Sequence, residues 1–297
     1  MTSPSEIRKR FQKAQSRKKQ WEELYEDALS YAAPRRNTFE METKGAEKSG
    51  EGKVFDSTAI NATNKFGSNV QQGFTPSMKD WIELEPGTAI PDDQKDDLRK
   101  QLAEIKKVMF AQIRNSNFDT QIAESYLDLA VGTGALLVQK GPSRAKPLEF
   151  TNVPLSQLYL EEGPHGRIDT AFRQHSVPLR NIQKMWEDAE LGDVLKERLE
   201  RNPDHEERLI EATIPDKITI FDPQAERERE IDGFRYYVIS EKQDQMIVER
   251  EMRSSPWVIF RWSSLPGEIY GRGPLLEALP DIKTLNKTKE LLLKAAS

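Results

Sequence analysis

The stretch WVIFRWSSLPGEIYGRGPLLEALPDIKTLNKTKELLLKAAS, from Trp257 to Ser297, decides how this chain reads. It opens on β-branched and aromatic residues, Trp257 to Trp262, a strand pattern. Two turns follow, Pro266-Gly267 and Gly271-Arg272-Gly273-Pro274. The second has glycines, which permit close backbone approach, and a proline suited to the first turn of a helix. From there one helix is expected to run to the end. Leu275, Ala278, Leu279, Ile282, Leu285, Leu292, Leu293 and Ala296 make a broad apolar face. Lys283, Lys287 and Lys294, at offsets of 0, 4 and 11, fall on another face. The ending Leu-Leu-Leu-Lys-Ala-Ala-Ser has no capping glycine and no polar tail, so the helix reads as cut, and the chain as a fragment.

Outward from this segment, the texture between 148 and 262 is that of short strands separated by Pro and Gly turns. They are expected around 148–152, 157–160, 168–174, 217–221, 234–240, 245–250 and 256–262. A charged helical insert, 178–211, interrupts them. Between Met185 and Glu211 it holds ten acids and four bases, which reads as an exposed rim. Upstream the pattern is helical. Phe11, Ala14, Trp21, Leu24, Tyr25, Ala28 and Leu29 mark a first helix that Pro34 stops. Asp56 or Ser57 caps a second, with Gly73 at its end. A short strand is expected at Trp81-Ile82-Glu83-Leu84. Leu98, Leu102, Ile105, Met109 and Ile113 give a third helix the clearest period in the chain. A fourth runs from about Asp119 to Ala130, and Gly132-Thr133-Gly134 turns it into a buried strand, Ala135 to Val138. Residues 42–53 read as a polar loop. The class is α+β.

Composition excludes more than it selects. Of 297 residues 31% are charged and 36% apolar, and adding the 16 glycines leaves the total below the ~45–50% of ordinary compact domains. Such a chain is expected to complete its core against neighbours. It has no cysteine, so disulfides, thiolate metal sites and a cysteine nucleophile are excluded. No apolar run approaches the ~20 residues of a membrane span, so no membrane partner is expected, and the chain reads as soluble, in a reducing compartment. His165, His175 and His205 are too scattered for a metal site. Gly132-x-Gly134 follows a helix and lacks a phosphate-binding lysine, so it reads as a close helix–strand turn. No nucleophile elbow or singled-out carboxylate pair appears, and no catalytic residue, cofactor or metal is assigned. Seven basic residues among the first 20, Arg8, Lys9, Arg10, Lys13, Arg17, Lys18 and Lys19, make either a nucleic-acid arm or a solvated helix face. The terminal lysines fit intersubunit salt bridges and solvent, or else base-blind phosphate contact.

Several segments together resemble the head-to-tail connector (portal) proteins of short-tailed bacteriophages. They are Arg35-Arg36, then Phe55-Asp56-Ser57-Thr58-Ala59, then Gly73 to Leu84 with its Pro76 before an aromatic stretch. Leu129 to Leu137 is similar to the family's small-residue step from helix into strand, and Gly166 to Arg173 to its turn-and-strand segment. The most specific part is Trp257 to Trp262 followed by Pro266 to Pro274 and Leu279 to Asn286.

The resemblance implies a portal fold: an α+β wing, residues 1–270, then the start of the first stem helix, 271–297. Gly271, Arg272, Gly273 and Pro274 would set the angle at the wing–stem junction. Lys283, Lys287 and Lys294 would face the channel or the adjacent stem. On this resemblance the clip, second stem helix and crown would lie outside this sequence. The family's function implies a ring homo-oligomer, typically of twelve copies, at one capsid vertex of the virion and made in the host bacterial cytoplasm. It would pass double-stranded DNA without sequence preference and dock the terminase motor, capsid or scaffolding protein, and tail adaptors. Two other classes compete: a capsid adaptor without a channel, and a nucleotide-binding virion enzyme using the Gly132–Gly134 turn.

Overall fold

The first helix, α1 (Pro4–Ala32), is capped at its start. Ser3 accepts from the Glu6 backbone N–H while the Glu6 carboxylate accepts from the Ser3 N–H, a reciprocal capping box with Pro4 in the first turn. In a computed structural model, which describes residues 2–36, 54–222 and 227–296, six more helices and eight strands follow. The helices are α2 (Thr58–Phe74), α3 (Asp92–Arg114), α4 (Phe118–Leu129), α5 (Leu179–Met185), α6 (Asp193–Arg201) and α7 (Pro274–Ala296). The strands are β1 (Thr133–Ser143), β2 (Lys146–Asn152), β3 (Leu158–Glu162), β4 (Ile168–Pro178), β5 (Glu206–Asp222), β6 (Arg227–Ser240), β7 (Met246–Met252) and β8 (Trp257–Arg261). The class is α+β. The expected loop at 42–53 lies outside the described residues.

Two antiparallel sheets form. One has the order β2-β1-β8, the other β3-β4-β5-β6-β7. The larger sheet is covered on both faces, and strand alternation assigns the partners. Ile210 and Ala212 on β5, with Tyr237 and Ile239 on β6, meet Ile7, Phe11 and Ala14 of α1. Leu209 on β5, with Tyr236 and Val238 on β6, meets Leu179 and Ile182 of α5 and Leu195 of α6. The second half of α1 runs on over the β3 edge of that sheet into another core, where Trp21, Tyr25 and Leu29 pack with Leu137, Leu158, Trp257, Tyr270, Leu275 and Leu279. One helix thus bridges the larger sheet and the base of α7.

Four expectations need correction. Residues 178–211 are not one helical insert: α5 and α6 are short, and 206–211 is the start of β5. In that segment Leu209 alternates with Ile210, and the cores on both faces claim the strand. Trp81 to Leu84 forms no strand and joins no ladder. Side chains anchor it instead: Trp81 stacks on Phe118, and Glu83 and Asp80 pair with Lys106 and Arg114 of α3. Helix α2 runs through Gly73 to Phe74, with Thr75 at the cap position. The clear period of α3 is present, but only Phe110 is buried there, and Ile105 and Val108 stand exposed.

Candidate functional site

The two Gly-x-Gly turns, 139 residues apart in sequence, meet backbone to backbone. A Cβ on Gly132 would lie 2.0 Å from the Gly271 carbonyl oxygen, one on Gly271 2.2 Å from that of Gly132, and one on Gly273 2.2 Å from that of Ala130. Gly132 also has φ +147, a conformation that favours glycine. Hydrogen bonds sew the crossing together. Trp262 N–H donates to Gly132 (2.9 Å), Gly273 N–H to Val131 (2.9 Å) and Leu275 N–H to Ala130 (3.0 Å). The Gly271 N–H donates to Thr133 Oγ1 at 2.8 Å, and Tyr25 donates its hydroxyl to the Gly271 carbonyl at 3.1 Å. Burial pushes the Tyr25 and Tyr270 phenols up, so both stay neutral donors. Tyr270 accepts from the Leu160 N–H at 3.1 Å, tying the junction to β3. The close-approach reading of both glycine pairs therefore holds: Gly132 and Gly271 are each other's neighbours, while Gly134 meets the Phe260 ring and Gly273 the Ala130–Val131 backbone.

Helix α7 leaves this junction in a direction that polar contacts fix. Asn286 is buried, and its Oδ1 accepts from the Phe55 (2.7 Å) and Asp56 (3.1 Å) N–H groups just ahead of α2. Lys289 reaches Asp56 at 2.5 Å. The Lys289 contact, helped by Thr58, holds the Asp56 carboxyl down to about 2. Between α2 and α7 lies an apolar groove of about 420 Å³ lined by Ala59, Ala62, Phe66, Leu275, Ala278 and Ile282. Asn286 escaped the sequence reading. Its signal was present, since 275, 279, 282 and 286 follow one helical arc and a polar residue interrupts it at 286.

The expected site residues are placed as follows. Gly271, Gly273 and Pro274 sit at the crossing and helix start. Arg272 is partly exposed, with its guanidinium on the Glu268 carboxylate at 2.7 Å and over the Trp21 ring at 5.1 Å. Lys283 pairs with Asp27 at the end of α1 and lies 5.9 Å from the Tyr31 ring centre. Lys287 and Lys294 share Glu290, at 2.9 and 2.5 Å. The three lysines thus share a stripe, with carboxylates of this chain on each.

The acidic rim is not uniformly solvated. Glu207 and Glu211 are buried, because both point with Leu209 to one face of β5. Glu211 lies 2.7 Å from His175 Nε2 and 3.3 Å from Arg173 Nη1, and accepts from the Tyr236 hydroxyl at 2.6 Å. Burial alone would raise its carboxyl; the His175 contact and the Arg173 charge outweigh it and hold it below the ordinary value. Trp186 donates to the Tyr236 oxygen at 3.0 Å, closing the network. It is a largely buried polar network that ties β4, β5 and β6 to Trp186. A second such knot joins Arg36 to Glu124 and, at 3.0 Å, to Asp128, whose carboxyl burial pushes up. Among the described residues no group of three or more His, Asp or Glu could hold a metal ion, and no helix is long and apolar enough to cross a membrane.

The arrangement is an α+β body whose glycine crossing launches one long, partly uncovered helix. Residues 4–297 match the family described as bacteriophage head to tail connecting protein. The chain belongs to that family. It is 20% identical over 285 residues to a probable portal protein of Bordetella phage BPP-1, an alignment covering 93% of this chain and 49% of that protein. It is 23% identical over 185 residues to the portal protein of Salmonella phage epsilon15, covering 61% of this chain and 32% of that protein. The chain spans about half the length, or less, of these relatives.

Proposed function

We propose that this chain is a subunit of a phage portal. Copies of it form a ring-shaped channel at one capsid vertex, through which double-stranded DNA is packaged, retained and ejected, and on which motor and tail proteins dock. The observation that carries the reading is family membership across nearly the whole chain, with both curated relatives named as portal proteins. Residues 1–270 act as the wing and 271–297 as the start of the stem, with the Gly271–Pro274 junction setting the angle between them. A conduit must not grip its cargo, since every phosphate neutralised adds salt-sensitive affinity. Lysines already shared with Asp27 and Glu290 suit that need, because they offer phosphates only part of their charge. The nucleotide-binding alternative loses its site. The Gly132 turn is filled by the backbone of Gly271, and a phosphate has no room there.

Negative-stain microscopy of the purified protein tests the reading: rings with a central hole are expected, and solitary particles or substrate turnover refute it. A non-channel adaptor gives no hole. The triple substitution of Lys283, Lys287 and Lys294 by Ala is expected to leave rings intact and to alter DNA packaging or retention. Unchanged packaging in vitro rejects the channel role of these lysines.

A further inference from the structure

The two sheets have four edges, and other parts of the chain meet three of them. On β2, Asn117 brackets Phe150, donating to its carbonyl at 2.7 Å and accepting from its N–H at 2.8 Å, and Gln121 accepts from the Asn152 N–H at 2.7 Å. On β3 the Tyr270 hydroxyl accepts from the Leu160 N–H, and on β7 the Ile247 carbonyl accepts from the Glu190 N–H at 2.8 Å. The β8 edge is different. Val138 N–H donates to Pro256 and Trp262 N–H to Gly132, so alternation turns the main-chain groups of Trp257, Ile259 and Arg261 away from β1. No other strand pairs on that side. The Trp257 N–H finds Ser255 Oγ at 3.3 Å, but the N–H and C=O of Ile259 and Arg261 make no hydrogen bond among the described residues. Trp257 to Phe260 carry no charge, and Val258 is 50% exposed. An uncharged edge with open main-chain groups is a template for another strand.

Trp81 to Glu85 is the converse: a strand pattern without a strand. None of its main-chain N–H and C=O groups makes a hydrogen bond among the described residues. Trp81 and Glu83 are held by Phe118 and Lys106, while Ile82 between them is exposed. The segment sits on the β2 side of the small sheet. Phe118, on which Trp81 stacks, meets the Phe150 ring of β2 at 5.1 Å, and Asn115 at the end of α3 donates to Ala145 in the β1–β2 turn at 2.7 Å.

We infer that β8 of one subunit takes residues Trp81–Glu85 of the next subunit as a fourth strand of its sheet. Main-chain hydrogen bonds supply such a contact, and alternate side chains set its register. Three observations favour a second copy as the source. Every copy carries both halves, both lack main-chain partners in their own chain, and β1 and β2 lie between them, so a copy's own segment is at the wrong edge. A contact between two different patches is head-to-tail, the kind that generates closed rings or open filaments rather than simple dimers. The inference rests on the ring reading above and adds to it which segments meet.

The chain has no cysteine, so introduced thiols report this contact alone. I82C and V258C, both at exposed positions, are treated with a flexible bismaleimide, which joins thiols on neighbouring strands without demanding one register. Neither variant alone is expected to cross-link, their equimolar mixture is expected to give dimers and nothing larger, and I82C/V258C a ladder of multimers. I82P and E83P test the pairing itself. Successive N–H groups point to opposite sides of a strand, so one of the two prolines removes a donor aimed at β8, and neither removes a hydrogen bond of the main chain within the subunit. One of them is expected to weaken self-association at least about fivefold, with the urea midpoint near that of wild type. If the mixture gives no dimers, or neither proline weakens association, this inference is overturned, and rings in the microscope leave the ring reading standing. If either cysteine variant cross-links to itself, the contact joins like edges and the inference is overturned. If the wild-type chain stays monomeric throughout, both readings fall.

Discussion

Replacing Gly132 with alanine tests the backbone crossing directly. The new Cβ would sit 2.0 Å from the Gly271 oxygen and 2.5 Å from its carbonyl carbon, both main-chain atoms that no rotamer change can move aside. Relief requires the two segments to part, which stretches the bonds from Trp262, Gly273 and Leu275 across the junction. Alanine at φ +147 costs about 1–3 kcal/mol in backbone strain. Overpacking adds about 1–3 kcal/mol, and each weakened hydrogen bond up to about 1 kcal/mol. The expected loss is about 4 kcal/mol, a large part of the ~5–15 kcal/mol that holds a typical domain. Urea titration followed by circular dichroism measures it. Gly73→Ala serves as the control, because its Cβ meets nothing within 4 Å inside α2 and the change is expected to stabilise by about 0.5–1 kcal/mol. A Gly132→Ala midpoint within about 1 kcal/mol of wild type would refute the crossing as a determinant of the fold.

Three further outcomes are expected. Burial lowers Lys18 from its usual value to about 7, so the native state releases a proton that the unfolded chain keeps up to the ordinary lysine range. Stability is therefore lowest below pH 7 and rises as pH increases from about 7 towards 10; denaturation midpoints across that range should lose this rise in Lys18→Met. Asn286→Leu leaves the Phe55 and Asp56 N–H groups without their acceptor and should cost about 1–3 kcal/mol, read by thermal unfolding; a neutral result would mean that α7 is held by its leucines alone. Arg272→Ala removes an exposed pair with Glu268 and should change monomer stability by less than about 1 kcal/mol. Its effect on assembly should be larger, measured by size-exclusion chromatography, and normal rings would remove Arg272 from the assembly contact.

Patterns set by near neighbours were readable from the sequence. The 3.6-residue period located α1, α3, α4 and α7, and turn chemistry located the breaks at Pro34, Gly132 and Pro274, because helix formation and termination depend on residues within a few positions. The glycine pairs announced that something must come close to them. Sequence also excluded whatever requires a thiol, and its segment order carried the family resemblance.

Only the folded chain decided what those segments meet. That Gly132 faces Gly271 is a contact between residues far apart in the chain, which no local rule contains. The fate of each charge was likewise tertiary: Lys18 and Glu211 look like their solvated neighbours in the sequence, yet one is buried against the Leu155 and Ser156 carbonyls and the other against His175. Charge is indifferent to position until a neighbouring element removes the water, and which element does so depends on how both sheets and α1 come together.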